Sequence, residues 1–141
     1  MVDMRNINKI IIHCSYTRPS QDIGAAEIRA WHVQQNNWAD IGYHYVITRN
    51  GLIEMGRPAL LAGAHTRGHN EDSIGVCLIG GMDEDDRTPV FNFTRSQMDA
   101  LTKLVEELLI DSPFAKIHGH NEFDAGKECP CFNVQEYFKG L

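Results

Sequence analysis

The sequence has little that would commit it to a membrane, to nucleic acid or to an oxidising compartment. Its opening stretch, MVDMRNINKIIIHCS, has no apolar run longer than III and no small-residue cleavage site, so it is not expected to act as a secretory signal. Nowhere does the chain approach the about 18 consecutive apolar residues of a membrane span, and no membrane partner is expected. Basic residues are the minority: 13 Lys and Arg stand against 19 Asp and Glu, a formal net charge of −6. Non-specific nucleic-acid binding draws on clustered cations that replace counterions, so none is expected. Cysteine is scarce, with Cys14, Cys77, Cys129 and Cys131 only. With no signal ahead of them, these argue for reduced thiols, one or more tied to function, rather than a disulfide framework. Internal repeats, low-complexity tracts and linkers are also missing. A chain of 141 residues suits one hydrophobic core, and residues 1–141 are expected to form one domain.

What is present is a succession of short strands and amphipathic helices. KIIIHCS is a β-branched run that predicts a buried strand ending near His13. DIGAAEIRAWHVQQ places Ala25, Ile28 and Trp31 at helical spacing, and NNWADIG closes that helix. In YHYVITRNGLIEMG, two apolar runs flank Arg49-Asn50-Gly51. Asn-Gly is the favoured type I′ pair, so an antiparallel hairpin is expected from Tyr43–Thr48 and Leu52–Met55. SIGVCLIGG reads as a further buried strand, and MDEDDRTPVFN as a solvated acidic loop. Thr94 and Gln97 have the spacing of a capping box. The helix they start carries Met98, Leu101, Leu104, Val105, Leu108 and Leu109 on one broad face, and Asp111-Ser112-Pro113 stops it. AKIHGH reads as a last short strand, and Asn133 is expected to cap a small helix holding Tyr137 and Phe138. The fold class expected is α/β: one three-layer domain with a central mixed sheet, one hairpin and flanking helices.

The segment IHGHNEFDAGKECPC concentrates two histidines and two cysteines near the C-terminus. A catalytic zinc site takes three ligands from His, Cys and carboxylates and leaves one position open. His13 at the end of the first strand, a histidine at the end of the last, and Cys129 beyond a loop can meet on one ion if those strands are neighbours. His118 and His120 would point the same way on a strand, so spacing does not choose between them. The same residues read as packing and turn residues instead, a buried cysteine being commonly a small hydrophobe.

Taken together, IIIHCS, WHVQQNNWADIGYHYVI, NGLIEMGR, GAHTRGHNEDSIGVCLIGG and HNEFDAGKECPCF resemble the zinc-dependent N-acetylmuramoyl-L-alanine amidases of type 2. That family includes the amidase "lysozymes" of bacteriophages and the animal peptidoglycan recognition proteins. The resemblance runs from about Ile10 to Phe138 and is nearest to the short phage-type enzymes. It implies a Zn2+ cofactor held by His13, His120 and Cys129, which selects His120 over His118. It also implies Tyr43 and Lys127 as catalytic residues, and His65, with Asn70, as residues lining the substrate cleft. The activity implied is hydrolysis of the amide between N-acetylmuramic acid and the L-alanine of the stem peptide, with peptidoglycan or a muropeptide as partner.

His44 is expected on the strand face opposite Tyr43, Trp31 in the helix's core stripe, and Cys14 and Cys77 in packing. Cys131 is expected in packing as well, its place in the CPC triplet also letting it compete for the metal or pair in a disulfide. Three other readings stand beside catalysis by zinc: a non-catalytic muropeptide-binding module, a hydrolase with Cys14 or Cys129 as nucleophile, and an amidase that also regulates a phage RNA polymerase, for which no motif matches. A monomer is expected, made in the cytoplasm (the host's, if phage-encoded) and acting on the cell wall after release.

Overall fold

The computed structural model describes residues 5–141. Residues 1–4, part of the stretch in which no secretory signal is expected, lie outside the described residues. Five strands, β1 (Lys9–Cys14), β2 (Tyr45–Ile47), β3 (Ile53–Met55), β4 (Ser73–Leu78) and β5 (Lys116–Gly119), form one sheet in the order β3-β2-β4-β1-β5. Three pairings are parallel, β2 with β4, β4 with β1 and β1 with β5, and only the β2–β3 hairpin is antiparallel. β1 and β4 occupy the interior of the sheet and are covered on both faces. That is why they read as unbroken apolar runs rather than alternating ones; all six residues of β4 are buried.

Alternation along β1 divides the molecule. Ile10, Ile12 and Cys14 join the larger core, with Ile74, Val76 and Leu78 of β4, under helix α2 (Arg95–Asp111) and the short helix α3 (Val134–Tyr137). Ile11 and His13 point to the other face. There Cys77, Ile79 and Val46 pack against Ala25 and Ile28 of helix α1 (Ala25–Asn36), with Trp31 partly buried beside them. The architecture is the mixed sheet between helices that the strand and helix pattern predicts.

α2 begins at the expected capping box. The Thr94 hydroxyl accepts from the Gln97 N–H at 3.0 Å, and the Gln97 side chain accepts from the Thr94 N–H at 2.9 Å. The fully buried Gln97 also donates to the carbonyls of Ile47 and Ile79, at 3.2 and 2.8 Å. One side chain thus caps the helix and bolts it to the end of β2 and to the residue that follows β4. α1 starts at Gly24, whose N–H is taken by Glu27, while Glu54 of β3 accepts from the Ala25 N–H at 2.7 Å.

The hairpin turn differs from expectation. Gly51 has φ of +86° but Asn50 is not in the left-handed region. The Gly51 N–H closes a turn on the Thr48 carbonyl at 2.8 Å, and the Thr48 N–H donates to the Leu52 carbonyl at 2.9 Å. This is a three-residue loop, a tight turn followed by a left-handed glycine, not the two-residue type I′ connection. Glycine alone takes the special conformation here, and Asn50 keeps an ordinary one. The strands are also shorter than Tyr43–Thr48 and Leu52–Met55. Because β2 starts at Tyr45, no alternation separates Tyr43 from His44, and both approach the same cluster of histidines. Among the described residues no helix is long and apolar enough to cross a membrane.

Candidate metal centre and active site

The parallel pairing of β1 with β5 sets Ile12 beside Gly119. Each strand therefore delivers a histidine at its carboxyl end, the end where open α/β sheets form their crevices. His13 is the penultimate residue of β1. His120 comes just past β5, as the first residue of a single 3-10 turn, His120–Glu122. That turn separates the two histidines of IHGH. His118 stays on the strand, hydrogen-bonded to Glu122 at 2.9 Å, while His120 lies with its ring centroid 4.5 Å from that of His13. Cys129 returns from the following loop, and one ligand atom each from His13, His120 and Cys129 lie within 4.8 Å of one another.

The surroundings suit a cation. The Cys129 sulfur accepts a hydrogen bond from the Cys14 backbone N–H at 2.9 Å, which holds it in place beside the two histidines. Behind His13, its Nε2 lies 2.9 Å from Nδ1 of His65 and 3.2 Å from the Thr66 hydroxyl, and Nε2 of His65 lies 3.2 Å from the Ser73 hydroxyl. The chain of bonds is satisfied when His13 donates from Nε2 to His65 and His65 donates from Nε2 to Ser73. His13 Nδ1 then presents a lone pair, and it carries no hydrogen bond among the described residues. Burial lowers the pKa of His13 well below the usual histidine value, aided by His65 and His120. Burial likewise lowers His65 to about 3, helped by His44 and His120. Neutral imidazoles are the form that binds a metal.

His65 is a ring set into a cage of glycines. A Cβ on Gly75 of β4 would stand 2.5 Å from its Cδ2, and one on Gly63 would stand 2.6 Å from the same atom. His44 lies below it with ring centroids 5.7 Å apart, itself buried, with Nδ1 accepting from the Gly75 N–H at 3.0 Å and Nε2 on the Leu61 carbonyl at 2.8 Å.

An open cavity of about 350 Å³ is lined by His120 and Cys129, its wall also including Tyr16, Tyr43 and Lys127. The Tyr43 ring leans on His13, with centroids 5.1 Å apart, and on His32 at 5.7 Å. Nδ1 of His32 in turn accepts from the Gly42 N–H at 2.9 Å, fixing the backbone beside Tyr43. Burial raises the Tyr43 hydroxyl's pKa well above its usual value, and the neighbouring sulfurs of Cys77, Cys129 and Cys14 add to it. Lys127 is exposed at the cavity edge, in a turn where its N–H donates to the Asp124 carbonyl at 3.0 Å. His65 and Asn70 are not on the cavity wall. The Asn70 amide oxygen is taken by the N–H groups of His65 and Thr66, at 3.0 and 2.9 Å, so it shapes the loop that holds His65. Thr66, His32 and Tyr16 were not singled out from sequence. A hydroxyl beside GAH or a histidine inside a helix carries no local mark of where it will point.

The model of the N-acetylmuramoyl-L-alanine amidase family matches residues 3–132. This chain belongs to that family. The endolysin of Escherichia phage T7 is similar to it, at 43% identity over 130 residues, 92% of this chain and 84% of that protein. Among solved structures, the N-acetylmuramoyl-L-alanine amidase LysC of Clostridium intestinale matches with a TM-score of 0.77 and 27% identity, covering 94% of this chain and 81% of that one. Drosophila PGRP-LB matches with a TM-score of 0.78 and 25% identity, covering 98% of this chain and 83% of the other. The chain is thus a peptidoglycan-hydrolysing amidase with an α/β fold, and His13, His120 and Cys129 form a possible metal site within it.

Proposed function

We propose that this amidase is a phage or prophage endolysin. It cuts the bond between the lactyl group of N-acetylmuramic acid and L-alanine with a zinc ion held by His13, His120 and Cys129. Residues 1–141 act as one catalytic domain, a monomer that meets peptidoglycan once released to the wall. The observation that carries the reading is the convergence of these three ligand atoms within 4.8 Å beside a cavity that Tyr43 and Lys127 also line. The donor set fits the ion: two neutral imidazoles, one with Nδ1 free of hydrogen bonds among the described residues, and a thiol whose sulfur is met by a backbone N–H. When bound, zinc supplies Lewis acidity at a site that a single thiolate leaves net positive.

The protein's own residues divide the remaining work. His65 and Thr66 hold His13 by Nε2 and fix its tautomer, an arrangement that orients ligands in metal sites generally. His65 and Asn70 therefore serve substrate binding indirectly, by building the wall behind the ligands. Burial keeps the Tyr43 phenol protonated, so it acts as a hydrogen-bond donor that orients water or the scissile carbonyl, not as a base. Lys127 places an ammonium at the cavity edge, where the carbonyl oxygen gains negative charge. Removing one such stabilising group costs about 10²–10³-fold in comparable sites. Over the reaction, water's hydroxide joins the lactyl carbonyl carbon and its proton goes to the departing L-alanine nitrogen.

The test is mass spectrometry of the products from purified Gram-negative peptidoglycan, digested by zinc-loaded protein and by protein stripped with a chelator. Free stem peptides beginning with L-alanine, seen only with zinc, are expected. Intact wall in both digests would refute the catalytic reading in favour of a muropeptide-binding module. Equal cleavage in both would point instead to a thiol nucleophile.

A further inference from the structure

One group beside the site has no part in this chemistry. Cys131 follows the metal-binding segment by two residues, and its sulfur lies 4.0 Å from that of Cys14, which is 117 positions away in sequence and next to His13. We propose that Cys14 and Cys131 are a dithiol pair that closes to a disulfide under oxidising conditions, leaving Cys129 free for the metal.

Three features bring these sulfurs together. Cys131 sits at φ of +71°, a conformation that side-chain-bearing residues rarely adopt, and its sulfur reaches the Gly81 carbonyl at 3.4 Å. Gly81 leaves the space both sulfurs share: a Cβ there would lie 2.7 Å from the Cys14 sulfur and 3.4 Å from that of Cys131. The two thiols also differ in access. Cys14 is buried at the end of β1, whereas Cys131 is half-buried and lines a surface depression with Phe132 and Asn133.

That asymmetry sets the order of events with a small disulfide oxidant such as oxidised glutathione. The Cys131 thiolate attacks one glutathione sulfur, forming a mixed disulfide and releasing one glutathione thiol. The Cys14 thiolate then attacks the Cys131 sulfur, forming the internal bridge and expelling the second glutathione. Two electrons pass to the oxidant, and the two thiol protons end on the two glutathiones. Cys129 is the competitor for Cys14, since its sulfur already accepts the Cys14 N–H at 2.9 Å. Engagement of Cys129 with zinc withdraws it, and this selectivity rests on the metal reading above. The bridge would tie the carboxyl end of β1, bearing His13, to the segment bearing Cys129. A loop that long removes much freedom from the unfolded chain.

The experiment oxidises zinc-loaded, full-length protein with glutathione disulfide after its zinc content has been measured. Free thiols are alkylated and a non-reducing digest is mapped by mass spectrometry. The expected product joins the Cys14 peptide to the Cys131 peptide, with Cys77 and Cys129 alkylated. The oxidised protein melts roughly 5–10 °C higher, a gain reversed by dithiothreitol and missing in Cys131→Ser and in Cys14→Ser. Four alkylated cysteines, or a bridge to Cys129 in a sample that held one zinc per chain, would overturn the pairing. A sample that takes up no zinc refutes the metal reading. The pairing is then judged by whether Cys14 joins Cys131 or stays alkylated.

Discussion

Replacing Gly75 by alanine tests whether His65 is a fixed support behind His13. The new Cβ would stand 2.5, 2.6 and 2.8 Å from Cδ2, Cγ and Nδ1 of His65. Carbon atoms rest at about 3.5–4.0 Å, so the ring has to move by about 1 Å. It has nowhere easy to go. Gly63 closes on the same ring, and the His13 Nε2 bond at 2.9 Å holds Nδ1. Overpacking of this kind costs about 1–3 kcal/mol, and the His13–His65 hydrogen bond is worth about 1 kcal/mol more. The sum is about 2–4 kcal/mol, or a Tm lower by roughly 8–16 °C for a chain of this size. Zinc affinity, read by competition with a chromophoric chelator, is expected to fall about 10–100-fold, as when a ligand loses its outer support. The same substitution in a His65→Ala background has no ring to strike, so the two effects are strongly non-additive. A Gly75→Ala protein that melts within 2 °C of the parent (about half a kcal/mol) and binds zinc equally well would refute this role for His65.

Lys127→Ala is expected to lower turnover about 10²–10³-fold, with zinc content and Tm unchanged; a loss of zinc would instead make Lys127 structural. Gln97→Ala abandons the carbonyls of Ile47 and Ile79 and the helix cap together, and urea unfolding should show a loss of about 2–4 kcal/mol. Burial, opposed by the Leu61 carbonyl and helped by Arg5 and Arg57, lowers the His44 pKa to about 4. Between that value and the unfolded value near 6.5, the unfolded chain binds a proton that the folded one refuses. Stability of the metal-free protein is therefore full above about pH 6.5 and falls as pH drops toward 4, by up to about 1.4 kcal/mol per pH unit from this residue. Thermal melts across that range should show a shallower slope in His44→Gln, and an unchanged slope would refute the assignment.

Much of the fold was legible because local chemistry and tertiary structure agree. The β-branched KIIIHC run, the Thr94–Gln97 box and the Asn133 cap each specify their element without help from distant residues. The turn at Asn50-Gly51 was legible as a turn but not as a type, since a single left-handed glycine serves as well as the pair. Of the candidate site, residue types and their family resemblance were readable in HCS, GYHY and GKECPC. Local periodicity alone could not separate His118 from His120, because the turn that parts them depends on the Gly119 N–H reaching Glu122 at 2.7 Å.

Strand order, by contrast, is set by which apolar faces cover one another across the whole chain, and it is what makes β1 the neighbour of β5. Only that pairing brings His13 and His120 together. Only the stacking of one loop over the bare backbone of Gly75 sets His65 against His13. Composition and pattern determined that a mixed α/β domain would form and which side chains it had to offer, and the resemblance of its motifs pointed to an amidase. Where each one points was decided by long-range packing, which no local run of residues encodes.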